Sequence, residues 1–146
     1  MKSFFLEKFE YDFYASKNLI EHIEQQESFV SSFVFKSFSH IINVHHIWLS
    51  RLKGSKAESH FWDELPLFYF QKLLEANYTE TIDFIERIEL ENKINYHSSE
   101  GVEFTKSMND VLYHVLNHSN YHRAQIIMDL KNNNLTVPSF NFITFK

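Results

Sequence analysis

The chain predicts an all-α fold, a four-helix bundle with one short extended excursion before the last helix, and three observations lead there. Gly and Pro number two each in 146 residues; tight turns and hairpins depend on them, so few loops are available. Apolar residues recur with helical period along four long stretches. Hydrophobic residues make up 44% of the chain and include 16 Phe, enough to fill the core of a single domain over residues 1–146 without covalent staples.

The first helix is expected from about Ser3 to Gln26, where Phe5, Phe9, Phe13, Leu19, Ile20 and Ile23 share one side. A second, from about Ser31 to Leu52, carries the stripe Val34, Phe38, Ile41, His45, Trp48 and Leu52, with Gly54 as its stop signal. A third should follow Pro66, running from Leu67 to Leu90 on Leu74, Tyr78, Ile82, Ile85 and Ile88. Between Asn92 and Lys106, Ile94, Tyr96, Val102 and Phe104 alternate with polar residues around Ser98-Ser-Glu-Gly101, which reads as a short hairpin. Ser107 caps the fourth helix, which should reach Asn132. The tail carries Phe140, Phe142 and Phe145, expected to pack back on the bundle or into a partner chain.

Composition removes several function classes. With no cysteine, thiolate catalysis and thiolate zinc sites are excluded, and a reducing compartment fits. The formal charge is −5, from 14 Lys and Arg against 19 Asp and Glu, with no basic block, so no nucleic-acid footprint is expected. The opening becomes charged by Glu7, too early for a signal-peptide core. No apolar run approaches the roughly 20 residues of a membrane span. A cytoplasmic, soluble protein is expected.

Any metal must therefore be held by nitrogen and oxygen. His114, His118 and His122 stand four apart in the last helix. Each step of four advances about 40° around a helix, so the rings share one side. Imidazole suits divalent transition metals, and this spacing lets two rings share an ion. His118 and His122 border the apolar stripe of Met108, Val111, Leu112, Val115, Leu116, Ile126 and Leu130, where a ligand at a helix seam belongs. On the second helix His40 flanks the stripe in the same way, aligned with Phe33, Val44, Ile47 and Arg51. The set read from spacing is His40, His118 and His122. His114 is read as a fourth ligand or a donor behind the ligands, one turn further off. His45 falls mid-stripe and reads as a hydrogen-bonded core histidine. His46 borders the solvated face, and His22, His60 and His97 read as isolated and exposed.

These residues also carry a resemblance. Ser39-His-Ile-Ile with Trp48-Leu-Ser-Arg51, His114-x-x-x-His118-x-x-x-His122-Arg-Ala-Gln-Ile126, and Phe9-Glu-Tyr-Asp-Phe-Tyr-Ala-Ser16 resemble the second-, last- and first-helix signatures of the DinB-like superfamily, which includes YfiT-type proteins. The similarity spans essentially the whole chain. It implies an up-down-down-up four-helix bundle, commonly a homodimer, with a divalent metal on His40, His118 and His122. His45 stands where many relatives have Glu, which leaves open a place for it behind the metal ligands. Better-understood members are similar to metal-dependent transferases using low-molecular-weight thiols such as bacillithiol or mycothiol; related ones are hydrolases or isomerases.

Three imidazoles leave an ion with an open position, as in catalytic sites. Zn²⁺ or Ni²⁺ leads, and such a site also admits Co²⁺ or Fe²⁺. The leading expectation is transfer of a soluble thiol to an electrophilic small molecule. The alternatives are hydrolysis by a metal-bound hydroxide, and a non-catalytic, stress-associated, metal-binding helical dimer. Asn43, His45, Asn117, Tyr121 and Gln125 are candidates to orient the rings. Arg123 is read either as steering an anionic cofactor or substrate, or as a salt bridge on the bundle surface. Tyr11, Tyr14, Trp48 and Trp62 are candidates to line a pocket, with core the favoured reading because aromatics at helical spacing are more often core.

Overall fold

The computed structural model describes residues 1–98 and 100–145. Its four long helices are α1 (Lys2–Gln25), α2 (Ser32–Leu52), α3 (Phe70–Arg87) and α4 (Met108–Asn132). A hairpin of β1 (Lys93–His97) and β2 (Glu103–Ser107) precedes α4. Helix α1 packs on α3 and α4, and α2 packs on α4 and α3. Among the described residues no helix is long and apolar enough to cross a membrane.

The helix limits follow from local chemistry. Helix α4 starts at a reciprocal cap: the Ser107 hydroxyl accepts the Asp110 N–H, and the Asp110 carboxylate accepts the Ser107 N–H. Helix α2 ends at Gly54, whose φ of +70° lets its N–H return to the Arg51 carbonyl. The third helix is shorter than its pattern predicts. Residues Leu67–Tyr69 form a 3₁₀ turn, and Ile88 is already extended. Leu90 keeps its apolar place by packing in the core from a non-helical backbone. The Leu90 and Asn92 carbonyls accept the Asn109 and Met108 N–H groups, which ties this segment to the start of α4.

The excursion is a two-stranded antiparallel hairpin with Lys93 opposite Ser107 and Tyr96 opposite Phe104. Tyr96 stacks on Phe104, and Trp48 meets Tyr96 edge-on at 4.9 Å, which seats the hairpin on α2. Of the predicted turn residues, Ser99 lies outside the described residues, and Gly101 has a φ of +79°. The tail folds back: Phe140 packs on the core, and Phe142 and Phe145 lie 5.2 and 5.3 Å from Tyr11.

The interior is layered along the helix axes. One apolar layer holds Leu19, Ile20, Ile23, Val34, Phe38, Ile41, Phe70, Leu74, Ile126 and Leu130. The other holds Phe5, Phe9, Leu52, Ile85, Leu90, Met108, Val111, Leu112 and Val115. Between them every helix contributes buried polar residues: Asp12 and Ser16, His45, Asn77 and Thr81, Ser119 and Arg123. Buried polar groups need partners, and these supply one another. Arg123 Nη1 donates to Asp12 Oδ1 at 2.7 Å and to Ser16 Oγ at 2.9 Å, and Ser119 Oγ donates to Asp12 at 2.8 Å. Thr81 Oγ1 donates to the Asn77 carbonyl, so it accepts at 2.8 Å from His45 Nε2–H. His118 and His122, each one residue before Ser119 and Arg123 on α4, sit at this middle height.

Candidate metal centre

Helices α2 and α4 cross so that His40 meets His118 and His122, which occupy one face of α4 a turn apart. Their ring centroids lie 4.4 to 4.8 Å from one another. One ligand nitrogen from each ring falls within 4.8 Å of the others, so the three could hold a metal ion. His40 is buried, and the other two are half-buried.

Hydrogen bonds behind the rings fix which nitrogens face inward. His40 Nδ1 lies 2.7 Å from the Phe61 carbonyl oxygen. A carbonyl only accepts, so Nδ1 carries the proton and Nε2 presents a bare lone pair. His122 Nδ1 lies 3.0 Å from Gln125 Oε1, which leaves its Nε2 free in the same way. His118 Nε2 stands 3.0 Å from His40 Nε2. Two lone pairs at that distance repel unless one nitrogen is protonated or both face a shared cation. Tetrahedral zinc–nitrogen bonds of about 2.0–2.1 Å would put ligand nitrogens about 3.3 Å apart. The observed spacing brackets that value, and the donor set fits a divalent ion after small ring movements.

The rings are neutral at physiological pH. Burial pushes His118 down to about 3, and the nearby His122, His40 and His114 reinforce it. Burial also lowers His40, opposed by its bond to Phe61, and lowers His122, reinforced by His40 and opposed by Gln125. Charging any of them here costs desolvation. Neutral imidazoles are the form that binds metal.

The loop between α2 and α3 closes over one side. The Trp62 indole lies flat on His40, with centroids 3.6 Å apart and planes 3° from parallel, although 63% of the residue is exposed. Asn43 Nδ2 donates to the Asp63 carbonyl, and the Leu65 N–H donates to Ser39 Oγ. These bonds hold the loop, and hence Phe61 and Trp62, against α2. A cleft of about 340 Å³ lined by Phe33, Lys36, Ser37, Trp62, Glu64, His122 and Gln125 reaches the centre from outside.

The remaining candidates lie elsewhere. His114 neighbours His118 at 5.9 Å and Trp48 at 5.2 Å, outside the three-ring cluster. His45 is in the core, bonded to Thr81 and 5.6 Å from the Phe9 ring. Arg123 corrects both sequence readings: it neither faces the site nor makes a surface salt bridge. Only 4% exposed, it pairs with Asp12 inside the molecule. Of the residues proposed to orient rings, Gln125 bonds one, Asn43 anchors the loop, and Asn117 and Tyr121 are exposed. Trp62, for which core is the favoured reading, takes the other one and walls the site. Sequence reasoning missed the Phe61 carbonyl altogether, since a backbone acceptor in an aperiodic loop leaves no pattern.

Fold and site together define a helical protein with a candidate three-histidine centre for a divalent metal. The family model described as DinB family matches residues 16–146, and the chain belongs to that family. The match begins at Ser16, so most of the Phe9–Ser16 opening lies outside it. No curated protein and no solved structure matches the chain.

Proposed function

We propose that this DinB-family chain is a metal-dependent enzyme that transfers a low-molecular-weight thiol of the bacillithiol type to electrophilic small molecules, with His40, His118 and His122 as metal ligands. The observation that carries the metal assignment is the pair of bonds from Phe61 and Gln125, which leaves two imidazole lone pairs facing one point beside the third ring. Zn²⁺ or Ni²⁺ suits such a nitrogen set. Once bound, the ion would act as a Lewis acid that lowers the pKa of a thiol or water. The chain's own part is to hold His40 and His122 in their tautomers, to cover His40 with Trp62, and to admit a small molecule through the cleft beside His122. The chain has no cysteine, so the nucleophilic thiol comes from solution.

The same reading takes the chain as one domain with helices running up-down-down-up, acting in the cytoplasm as a homodimer. Phe4, Tyr113, Tyr121 and Met128, on the outer side of α1 and α4, are 45% to 61% exposed and supply apolar surface for a second copy. Light scattering on the purified protein tests the dimer.

The deciding experiment incubates metal-loaded protein, purified without a histidine tag, with electrophiles in the presence and absence of bacillithiol. Thiol-dependent turnover is the expected result. Turnover without thiol would reject transfer in favour of hydrolysis. Stoichiometric metal with no turnover on either arm would favour a non-catalytic metal-binding role.

A further inference from the structure

A second cavity, of about 720 Å³, opens between the end of α2, the following loop and the hairpin. The chain has a net charge of −5, yet among the described residues no Asp or Glu lines this space, whereas Arg51, Lys56, His60 and His97 do. In the loop, Glu58 falls between two lining residues without lining the space itself, and Asp63 is engaged by the His60 backbone N–H at 2.7 Å.

Arg51 is the unusual member. Its guanidinium carbon lies 4.5 Å from the Trp48 ring centroid, 5.4 Å from Tyr96 and 5.7 Å from Phe61. Among the described residues its side chain makes no hydrogen bond and no ion pair. Three aromatic faces stabilise its charge but accept none of its five N–H donors. Burial correspondingly pulls its pKa below the usual arginine value. A second orphan shares the lining: the Ser59 hydroxyl is buried without a hydrogen-bond partner among the described residues. A planar donor fork held by aromatic walls has the shape to take a planar anion, and the unpaired hydroxyl lines the same space.

We infer that this cavity binds the carboxylate of a small organic molecule, with Arg51 as its anchor. A planar carboxylate matches one guanidinium in a two-bond fork. Phe61 joins the two sites, since its ring walls the cavity and its carbonyl holds His40. A molecule anchored here would therefore share Phe61 with the histidine centre. Its use in catalysis rests on the function proposed above; its binding does not, because no histidine of the centre lines this cavity.

Binding is tested on metal-free protein. The chain has two tryptophans, so W62F leaves Trp48, against which Arg51 stacks, as the sole indole. Its emission is followed during titration with succinate, inorganic phosphate or chloride at constant ionic strength. A saturable response to succinate is expected, at least tenfold weaker in R51M and intermediate in R51K, which keeps the charge but loses the fork. Metal stoichiometry in otherwise wild-type R51M should match wild type, which separates failure of this subsite from failure of the metal centre. Equal succinate affinity in wild type and R51M, tighter binding of phosphate than succinate, or an unsaturable response to every anion would each overturn the inference. Circular dichroism of R51M checks its fold, and R51K carries the test if R51M is unfolded.

Discussion

Trp62 and His40 stack face to face at 3.6 Å, the closest ring pair in the site. One belongs to a loop and the other to α2, so the stack depends on the loop staying docked. An indole at this distance reports directly on what His40 binds. Titration with Ni²⁺ or Co²⁺ should quench tryptophan emission with a one-to-one endpoint, and W62F should lose most of that quench. An equal quench in W62F would mean that the ion binds elsewhere.

Replacing a ligand should separate metal from fold. His118 is neutral and partly desolvated, so H118A removes a polar ring from a site that gains little stability from it. Metal content should drop from one equivalent to a small fraction, with helicity unchanged and melting within a few degrees. Gln125 acts through His122, so Q125A should weaken metal binding by about 10- to 100-fold. Calorimetric titration of both variants is the check.

The buried Arg123–Asp12 pair predicts an asymmetric mutational response. R123A strands a carboxylate beneath the surface, and loss of one partner of a buried pair costs about 3–5 kcal/mol. Replacing both residues with apolar ones of similar volume, as in D12L/R123M, should restore most of that stability. Urea unfolding of the single and double variants measures the difference. A loss below about 1 kcal/mol in R123A would contradict the burial described here.

Acid should destabilise the metal-free protein through its neutral histidines. Burial pushes His45 down to about 4, against the raising effect of Asp12, whereas an unfolded histidine titrates near pH 6.5. Above pH 6.5 both states are unprotonated at this site, and stability is flat. Between about 6.5 and 4 the unfolded chain takes up the proton first, so stability falls as pH falls. One such site contributes up to about 1.4 kcal/mol per pH unit. The lowered His40, His118 and His122 act in the same direction. H45L should reduce the slope by about one proton, as read from unfolding free energies at pH 4.5 to 7.

The four helices were legible because an apolar face repeats wherever a helix covers a core. The same rule overextended α3, since Ile88 and Leu90 keep the spacing after the backbone has straightened. The hairpin was legible from alternation at Ile94, Tyr96, Val102 and Phe104. The convergence of His40, His118 and His122 could be read because each borders an apolar stripe, and a seam between helices lies at such borders. Arg123 was misread through its adjacency to His122. Its true register, with Ser119, Ile126 and Leu130 on the buried face, was available, and Asp12 and Ser16 show the matching interruption on α1. Phe61, and the stacking of Trp62 on His40, were out of reach, because a loop's path depends on distant anchors such as Asn43 and Ser39.

Leucine and isoleucine surfaces can glide along one another with little penalty, whereas a guanidinium and a carboxylate sealed between them cannot. Displacing α4 lengthwise by a single turn would carry Arg123 away from Asp12 and maroon both charges. Ser119 and Arg123 each follow a candidate ligand directly in the chain, so the latch on the rear of α4 also sets the elevation of His118 and His122 on its front. The ion pair works as a detent, and the alignment of three rings opposite α2 is what it preserves.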